Sequence, residues 1–375
     1  MERKKLTSNT KLILTIGFVI LLGLGLFTVQ GNCNSYIVRI ISLIGIFGIM
    51  AVSLNLINGI TGIFSLGHAG FMAIGAYVSS LMTMSVAQKD TTFILEKVSF
   101  PFNVEIFSSS PFLVATLVGG LVAAFFAFLI GWPTLRLAGD YLAITTLGFS
   151  EIIRIFAVNA TSVTNGAMGL KGIPSYTNVW WSWGWLLVTV MVIGSLLKSS
   201  YGRALKAIRE DKIAAESMGI NVFKHQLSSF VVGGFFAGIA GSLYAHWLTT
   251  IDPKPTTLGI MLTFNALIMI VLGGLGSISG SIIGAGLFAF FSEWLRFVES
   301  DMNLFGFHIE GISGMRMLVF SALFIVVMIF WPKGIMGRRE ITWDGMYGLI
   351  NRFKSGKVSD EIKRELVESE GSEEA

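Results

Sequence analysis

Ten apolar runs, each close to the length of a membrane-crossing helix, follow one another along the chain. A helix needs about 20 consecutive apolar residues to cross the hydrocarbon core of a bilayer, because each residue adds about 1.5 Å. The runs therefore predict an all-α polytopic membrane protein with about ten transmembrane helices. They occupy residues 12–29, 36–58, 60–87, 111–135, 141–157, 179–197, 227–248, 257–275, 279–298 and 312–331.

Two of these runs carry features that a simple spanning helix does not need. The run at 60–87 is rich in glycine, which predicts a broken or re-entrant segment. The run at 141–157 contains Glu151 and Arg154. A half-span packed inside the bundle is therefore an alternative to a full crossing at that point.

The charged residues gather outside the apolar runs. They make up 13% of the chain, compared with about 25% in a typical soluble domain. Residues 1–11, 198–226 and 333–375 hold more than half of them. Since long stretches between these segments are almost free of charge, the sequence excludes a water-soluble enzyme.

Lys and Arg are unevenly divided among the connections, and this division predicts the orientation of the chain. Four lie in 1–11, six in 198–226 and six in 333–357, whereas 158–178 and 249–256 hold one each. Cytoplasmic connections of membrane proteins are enriched in Lys and Arg. Both termini and the 198–226 loop are therefore predicted to be cytoplasmic, in a multi-pass protein of the plasma membrane.

The side chains that usually hold metals or carry out catalysis are few and scattered. Cys33 is the only cysteine, and the four histidines lack the spacing of a metal site. The sequence contains no Walker A motif, so any use of ATP belongs to another subunit. We therefore predict no catalytic residue, no metal, no cofactor and no nucleic-acid partner.

The 198–226 loop has the pattern of a short amphipathic helix. Basic residues recur at helical spacing, three apolar residues follow another face, and Gly219 is placed to end the helix. This pattern favours a docking helix for a cytoplasmic partner, with a helix on the membrane surface as the alternative. The residues assigned to the contact are Arg203, Lys206, Arg209, Glu210, Asp211, Ala214, Ala215, Glu216 and Gly219, and the apolar face is Leu205, Ile208 and Ile213.

Two glycine-rich segments resemble each other across the chain. Gly62-Ile-Phe-Ser65 followed by Gly70 aligns with Gly276-Ser-Ile-Ser279 followed by Gly284, at an offset of 214 residues. Many transporters consist of two related halves with helices broken at corresponding places. Chance matching in a glycine-rich chain is the alternative explanation.

Polar residues inside the apolar runs are candidates for a translocation pathway, since charges within a membrane are often functional. Each also has a structural alternative. A buried histidine can make one interhelical hydrogen bond, glycines allow close helix packing, and acid–base pairs three residues apart, such as Glu293 with Arg296, can neutralise each other. The candidates are Asn55, Ser65, Gly67, His68, Gly70, Glu151, Arg154, Gly273, Gly274 and Gly276.

Five ordered blocks resemble the branched-chain amino-acid permeases of the LivM type, which belong to ABC importers. The 202–220 loop is similar to the Glu-Ala-Ala-type coupling loop of such permeases, although in its stretch Lys212–Glu216 the alanine pair fits the motif better than the leading acid does. The 88–110 connection and the acidic tail also depart from the family pattern. The other blocks are Leu54–Gly59 with Ser65–Phe71, Arg136–Tyr141 with Thr146–Arg154, Thr164–Pro174, and Leu272–Ser277, and the family's end is matched by Trp331–Gly334.

The resemblance implies an ABC importer permease for leucine, isoleucine and valine. It implies four further subunits: a LivH-like permease, two cytoplasmic ATP-binding subunits and an extracytoplasmic substrate-binding protein. Residues 1–11 would be a cytoplasmic N-terminus, 12–331 the transmembrane permease domain with its cytoplasmic coupling loop at 198–226, and 332–375 a cytoplasmic tail. A related importer for urea or amides and an ion-coupled secondary transporter are the alternatives.

Overall fold

The computed structural model describes residues 8–93, 98, 110–137, 139–295, 302–304, 307–309, 314–330 and 333–343. The acidic tail, Arg296 and most of the 88–110 connection lie outside this range. The chain forms two compact units, one made of Met1–Asn32 with Glu340–Ala375 and the other of Cys33–Arg339.

The described part of the chain is almost entirely helical. The first unit contains α1 (Ser8–Asn32), where Trp343 Nε1 donates a hydrogen bond to Thr15 Oγ1 over 2.9 Å. The helices of the second unit are α2 (Ser35–Asn55), α3 (His68–Thr83), α4 (Val86–Thr92), α5 (Phe112–Thr134), α6 (Asp140–Asn159), α7 (Thr161–Thr164), α8 (Val179–Lys198), α9 (Ser200–Glu210), α10 (Lys212–Ser217), α11 (Val222–Leu248), α12 (Pro255–Leu258), α13 (Ile260–Gly273), α14 (Ile278–Trp294) and α15 (Met315–Phe330).

Seven helical segments in the described ranges are long and apolar enough to cross a membrane, and an eighth results if α3 and α4, bent by 120°, count as one span. The seven include α6, which is continuous over 20 residues and is therefore long enough for a full crossing. α14 and α15 are shorter, with 17 and 16 residues. Each of the ten predicted runs lies on one of these helices, but ten crossings stay a prediction.

The centre of the second unit is a bundle of α2, α3, α5 and α11 packed through small residues. A Cβ atom at Gly241 would meet the carbonyl of Met72, and one at Gly75 would meet the carbonyl of Gly238. A Cβ at Gly238 would lie 3.0 Å from the Gly119 carbonyl. α3, α5 and α11 therefore touch backbone to backbone, as small residues allow in membrane bundles.

Three connections that the Lys and Arg counts predict to be outside the cell lie together. Strand β1 (Leu170–Lys171) pairs antiparallel with β2 (Thr250–Ile251). Asn165, which has a positive φ of 60°, donates from Nδ2 to the Thr92 carbonyl over 3.0 Å. A second pair, β3 (Met302–Leu304) and β4 (Phe307–Ile309), forms a separate hairpin.

Candidate functional site

The loop that the sequence predicts as one amphipathic helix folds instead as two, α9 and α10. Asp211 separates them because its backbone is extended, with a φ of −153°. Its Oδ1 atom accepts a hydrogen bond from the Ala214 N–H over 2.9 Å, so Asp211 is the N-cap of α10. The prediction of one continuous helix is therefore wrong, whereas Asp211 stays exposed and its role as a partner contact stays a prediction.

The break also changes the apolar face of the loop. Leu205 and Ile208 are buried, but Ile213 is 77% exposed because α10 begins a new helix with its own faces. The prediction that all three share one buried face is wrong for Ile213. Ala215 of α10 packs against Ile208 instead.

Gly219 ends α10 in the conformation expected from the sequence. Its φ is +81°, and the Ile220 N–H donates to the Ala215 carbonyl over 3.1 Å, as at many helix ends closed by glycine. Of the other residues assigned to the contact, Ala215 is buried, and those that the structure leaves exposed are Arg203, Lys206, Glu210, Asp211, Ala214 and Glu216.

Arg209 turns towards the bundle. Only 18% of its side chain is exposed, and its Nη1 atom donates to the Gly59 carbonyl over 2.9 Å. The sequence places Arg209 on the basic outer face of the loop, and this placement is corrected. The cause is a tertiary contact, because α9 lies directly over the point where α2 stops being an α-helix.

Two helix breaks lie side by side at this point. In the first break, residues 56–67, α2 ends in a π-helical turn (Leu56–Ile60) and α3 begins only at His68. In the second break, residues 274–277, α13 stops and α14 begins at Ile278. The glycine content of both segments predicts such interruptions.

Asn55 joins the two breaks directly. Its side chain is buried, its Oδ1 accepts from the Gly276 N–H over 2.8 Å, and its Nδ2 donates to the Ser277 carbonyl over 2.8 Å and to Ser281 Oγ over 2.7 Å. The amide thus satisfies the Gly276 N–H, which precedes α14, and adds a donor to the Ser277 carbonyl, which also accepts from the Ser281 N–H. Asn55 acts here as a helix-to-helix clamp.

Arg209 lies across both breaks. A Cβ atom at Gly62 would be 2.8 Å from Arg209 Cγ, and one at Gly276 would be 2.8 Å from Arg209 Nη1. Both glycines have positive φ, +77° and +91°. They are the corresponding positions of the 214-residue echo in the sequence, which indicated the two breaks but not their common partner.

Segment 333–339 bonds to the second break. Its own sequence pattern does not predict this contact. The N–H of Ile335 donates to the Leu272 carbonyl over 2.9 Å, and the N–H of Met336 donates to the Gly273 carbonyl over 3.0 Å. These bonds cover carbonyls at the end of α13. Gly274, with a φ of +119°, lies directly against the backbone of Gly337.

The same segment reaches α9 through an ion pair. Glu210 Oε1 accepts from Arg209 Nη2 over 2.7 Å and from Arg338 Nη1 over 3.1 Å. The hydrogen bond from Arg209 and the charge of Arg338 hold the pKa of Glu210 below its usual value. The carboxylate is therefore ionised at neutral pH, and the pair is lost only in acid, as the pH falls through that lowered pKa.

His68 lies at the start of α3 and is fully buried. Its Nε2 is 2.8 Å from Ser53 Oγ on α2, so the histidine meets a neighbouring helix. Gly67 and Gly70 pack closely on α6, where added Cβ atoms would lie 3.0 Å from the Thr146 carbonyl and 3.1 Å from Ser150 Cα respectively. These contacts favour the structural alternative for all three candidates.

Ser65 and the charged pair on α6 also have intramolecular partners. The Ser65 N–H donates to Asn58 Oδ1 over 3.2 Å. Arg154 Nε donates to Glu151 Oε2 over 2.7 Å, three residues apart as predicted, and Arg154 Nη1 donates to the Pro253 carbonyl over 3.2 Å. The pair neutralises itself and contacts the connection after β2.

A cleft of about 370 Å³ lies beside α10. It joins the end of α5 to α10 and the start of α11, so the Arg136 connection and the 198–226 loop lie together. Within the described residues, no group of three or more His, Cys, Asp or Glu could hold a metal ion. The cleft is lined by Leu135, Arg136, Lys212, Glu216, Val222, Phe223 and Gln226.

A bundle of apolar helices of membrane-spanning length, interrupted at glycines, is typical of multi-pass membrane transporters. The family model described as "Branched-chain amino acid transport system / permease component" matches residues 36–329. The chain belongs to this family of transport permeases.

Named relatives agree with this assignment. The chain is 30% identical to the high-affinity branched-chain amino acid permease LivM of Escherichia coli K12 over 305 residues, which cover 72% of this chain and 63% of that protein. It is 23% identical to a probable LivM of Methanocaldococcus jannaschii over 61% of this chain and 68% of the relative. It is 27% identical to LivH of Escherichia coli K12 over 74% of this chain and 86% of LivH. No solved structure matches.

Asn55→Leu tests the clamp between the breaks. Leucine has a similar size but leaves the Gly276 N–H without its partner, and an unsatisfied buried donor costs about 1–3 kcal/mol. We expect a clearly lower thermal unfolding temperature in detergent. Asn159→Leu is the control, because Asn159 is exposed and bonds only within its own helix. Equal unfolding temperatures for both variants would contradict the clamp.

Proposed function

We propose that this chain is the transmembrane permease subunit of an ABC importer that moves leucine, isoleucine and valine into the cytoplasm. The single observation that carries the proposal is the family match over residues 36–329. The sequence has no Walker A motif, so separate ATPase subunits supply the energy. In this proposal the chain provides a pathway and is not itself an enzyme.

The proposed assembly contains a second, LivH-like permease, two cytoplasmic ATP-binding subunits and an extracytoplasmic substrate-binding protein, within the lipid bilayer. Relatives of both the LivM and the LivH type support a pair of permeases. The exposed part of the coupling loop supports an ATPase contact, since Ile213 is 77% and Met218 82% exposed beside Lys212 and Glu216.

We further propose that all ten apolar runs cross the membrane and that both termini are cytoplasmic. The grouping of the connections supports this orientation. The basic connections at Arg136, 198–226 and 333–339 contact one another through the cleft and the Arg338–Glu210 pair. The connections poor in Lys and Arg meet through β1 and β2. The division into 1–11, 12–331 and 332–375 stays part of this proposal.

The proposed mechanism is alternating access. ATP binding and hydrolysis in the partner subunits move α9 and α10, and the bundle converts that movement into opening of a pathway to one side or the other. Of the pathway candidates, Asn55 and the glycines at 273, 274 and 276 lie at the paired breaks that contact α9. Glu151 and Arg154 are proposed to lie nearer the opposite entrance, beside the connection after β2.

Reconstitution separates the proposed function from its alternatives. In proteoliposomes that contain both permeases, both ATPases and the binding protein, we expect leucine uptake that requires ATP and stops when the ATPases are omitted. Uptake driven by an ion gradient without the ATPases would show a secondary transporter. ATP-dependent uptake of urea or an amide, with no uptake of leucine, would show the related importer.

Thiol labelling tests the orientation. Met168→Cys and Met218→Cys are each made in a Cys33→Ser chain, because both methionines are at least half exposed and Cys33 is an exposed thiol. An impermeant reagent added to intact cells without the ATPase partners should label position 168 only. Position 218 should react after the cells are permeabilised. Equal labelling at both positions in intact cells would contradict the proposed topology.

Two substitutions at Gly219 test the shape of the coupling loop. No atom lies within 4 Å of an added Cβ, so space does not limit either variant, but the φ of +81° does. Valine is strained there by about 1–2 kcal/mol, whereas asparagine adopts this conformation more readily. We expect Gly219→Val to lose uptake and stimulated ATP hydrolysis at normal abundance, while Gly219→Asn keeps both. Wild-type transport by Gly219→Val would show that the loop only connects α8 to α11 and has no part in coupling.

A further inference from the structure

We propose that Arg209 is the positioning residue that transmits movement of α9 to both helix breaks at once. This inference rests on the proposed function and names the contact through which the coupling loop acts on the pathway. It starts from the observation that one side chain bonds to the first break, through Gly59, and packs on the second, at Gly276.

The guanidinium group suits this position. Its Nη1 donates to the Gly59 carbonyl over 2.9 Å, while its Nη2 donates to Glu210 over 2.7 Å. A planar group with several fixed donors can hold two acceptors in set directions, whereas the ammonium group of lysine is a single compact charge. The carbonyl of Gly59 belongs to the π-helical turn, so the bond fixes the backbone of the break itself.

Arg209 meets the second break through packing contacts. The Nη1 atom lies where a side chain at Gly276 would be, and the arginine stem fills the corresponding space at Gly62. Because neither glycine has a side chain that could yield, a shift of Arg209 changes the surroundings of both breaks. Asn55 bonds the two breaks to each other, so they move together.

The ion pair of Glu210 extends this unit to segment 333–339. Glu210 is shared between Arg209 and Arg338, and Ser277 Oγ donates to the Arg339 carbonyl over 2.8 Å. The segment therefore holds the second break from the other side. Movement of α9 is transmitted to the breaks through Arg209. It is transmitted to segment 333–339 through Glu210.

Other basic residues of α9 do not share this arrangement. Arg203 and Lys206 are exposed, about two turns and one turn earlier on the same helix. Both belong to the residues assigned to the partner contact, so neither serves as a control. Lys198 is an exposed lysine at the end of α8 that is not assigned to that contact, and Lys198→Gln is therefore the control for substitutions at Arg209.

The test uses the reconstituted importer and measures leucine uptake and ATP hydrolysis in the same vesicles. Arg209→Met keeps most of the apolar stem and loses the hydrogen bonds to Gly59 and to Glu210. We expect it to hydrolyse ATP while the leucine transported per ATP falls about tenfold, as for the loss of a charge-assisted hydrogen bond. Arg209→Lys should fall in the same direction but less, and Lys198→Gln should match the wild type.

A purely structural role would lower the amount of importer and reduce uptake and hydrolysis in proportion, leaving their ratio unchanged. An unchanged ratio in Arg209→Met therefore overturns the inference. Absence of ATP-dependent uptake in the wild type and in Lys198→Gln would instead overturn the proposed function.

Hydrogen exchange gives a readout that does not depend on transport, and it remains available if Arg209→Met fails to assemble. In the wild-type complex, trapping the ATP-bound state should change exchange in peptides that cover residues 56–67 and 273–280 together. In Arg209→Lys the two changes should be lost or uncoupled. The same joint change in Arg209→Lys would refute the transmission role.

Discussion

A helix that breaks inside an apolar bundle leaves backbone N–H and C=O groups that lipid and apolar side chains cannot satisfy. The structure meets this requirement with groups from distant parts of the chain. Asn55 bonds to the second break, segment 333–339 covers the end of α13, and Arg209 bonds to Gly59 in the first break. The 198–226 loop, both breaks and segment 333–339 are therefore one bonded unit, and these bonds exist because the breaks need partners.

Much of the architecture follows from local sequence. The length of an apolar run is fixed by the thickness of a bilayer, so the runs predict where helices lie. The glycine-rich segments predict both breaks, and the position of Gly219 after a helical pattern predicts its positive φ. The Glu151–Arg154 pair follows from a spacing of three residues on one helix. In each case a few neighbouring residues decide the outcome.

The remainder depends on contacts between residues far apart in the chain. Nothing near Arg209 in sequence shows that Gly59 and Gly276 will lie beside it, so periodicity placed it on an outer face. The contact between segment 333–339 and the end of α13 does not follow from local sequence for the same reason. Asp211 is different, because an aspartate directly before a helical pattern is a recognised helix-start signal, and its side chain caps α10 at the Ala214 N–H. The break at Asp211 could therefore have been predicted, but the amphipathic pattern on both sides of it favours one continuous helix.

The backbone contacts among α3, α5 and α11 also limit how this bundle can change shape. Where Gly241 touches the Met72 carbonyl and Gly75 touches Gly238, no layer of side chains separates the helices. Sliding one helix past its neighbour requires such a layer to repack in small steps, so shear motion is blocked along this seam. The three helices must turn as a single rigid body, and the hinges that let them turn have to lie in the irregular segments at their ends.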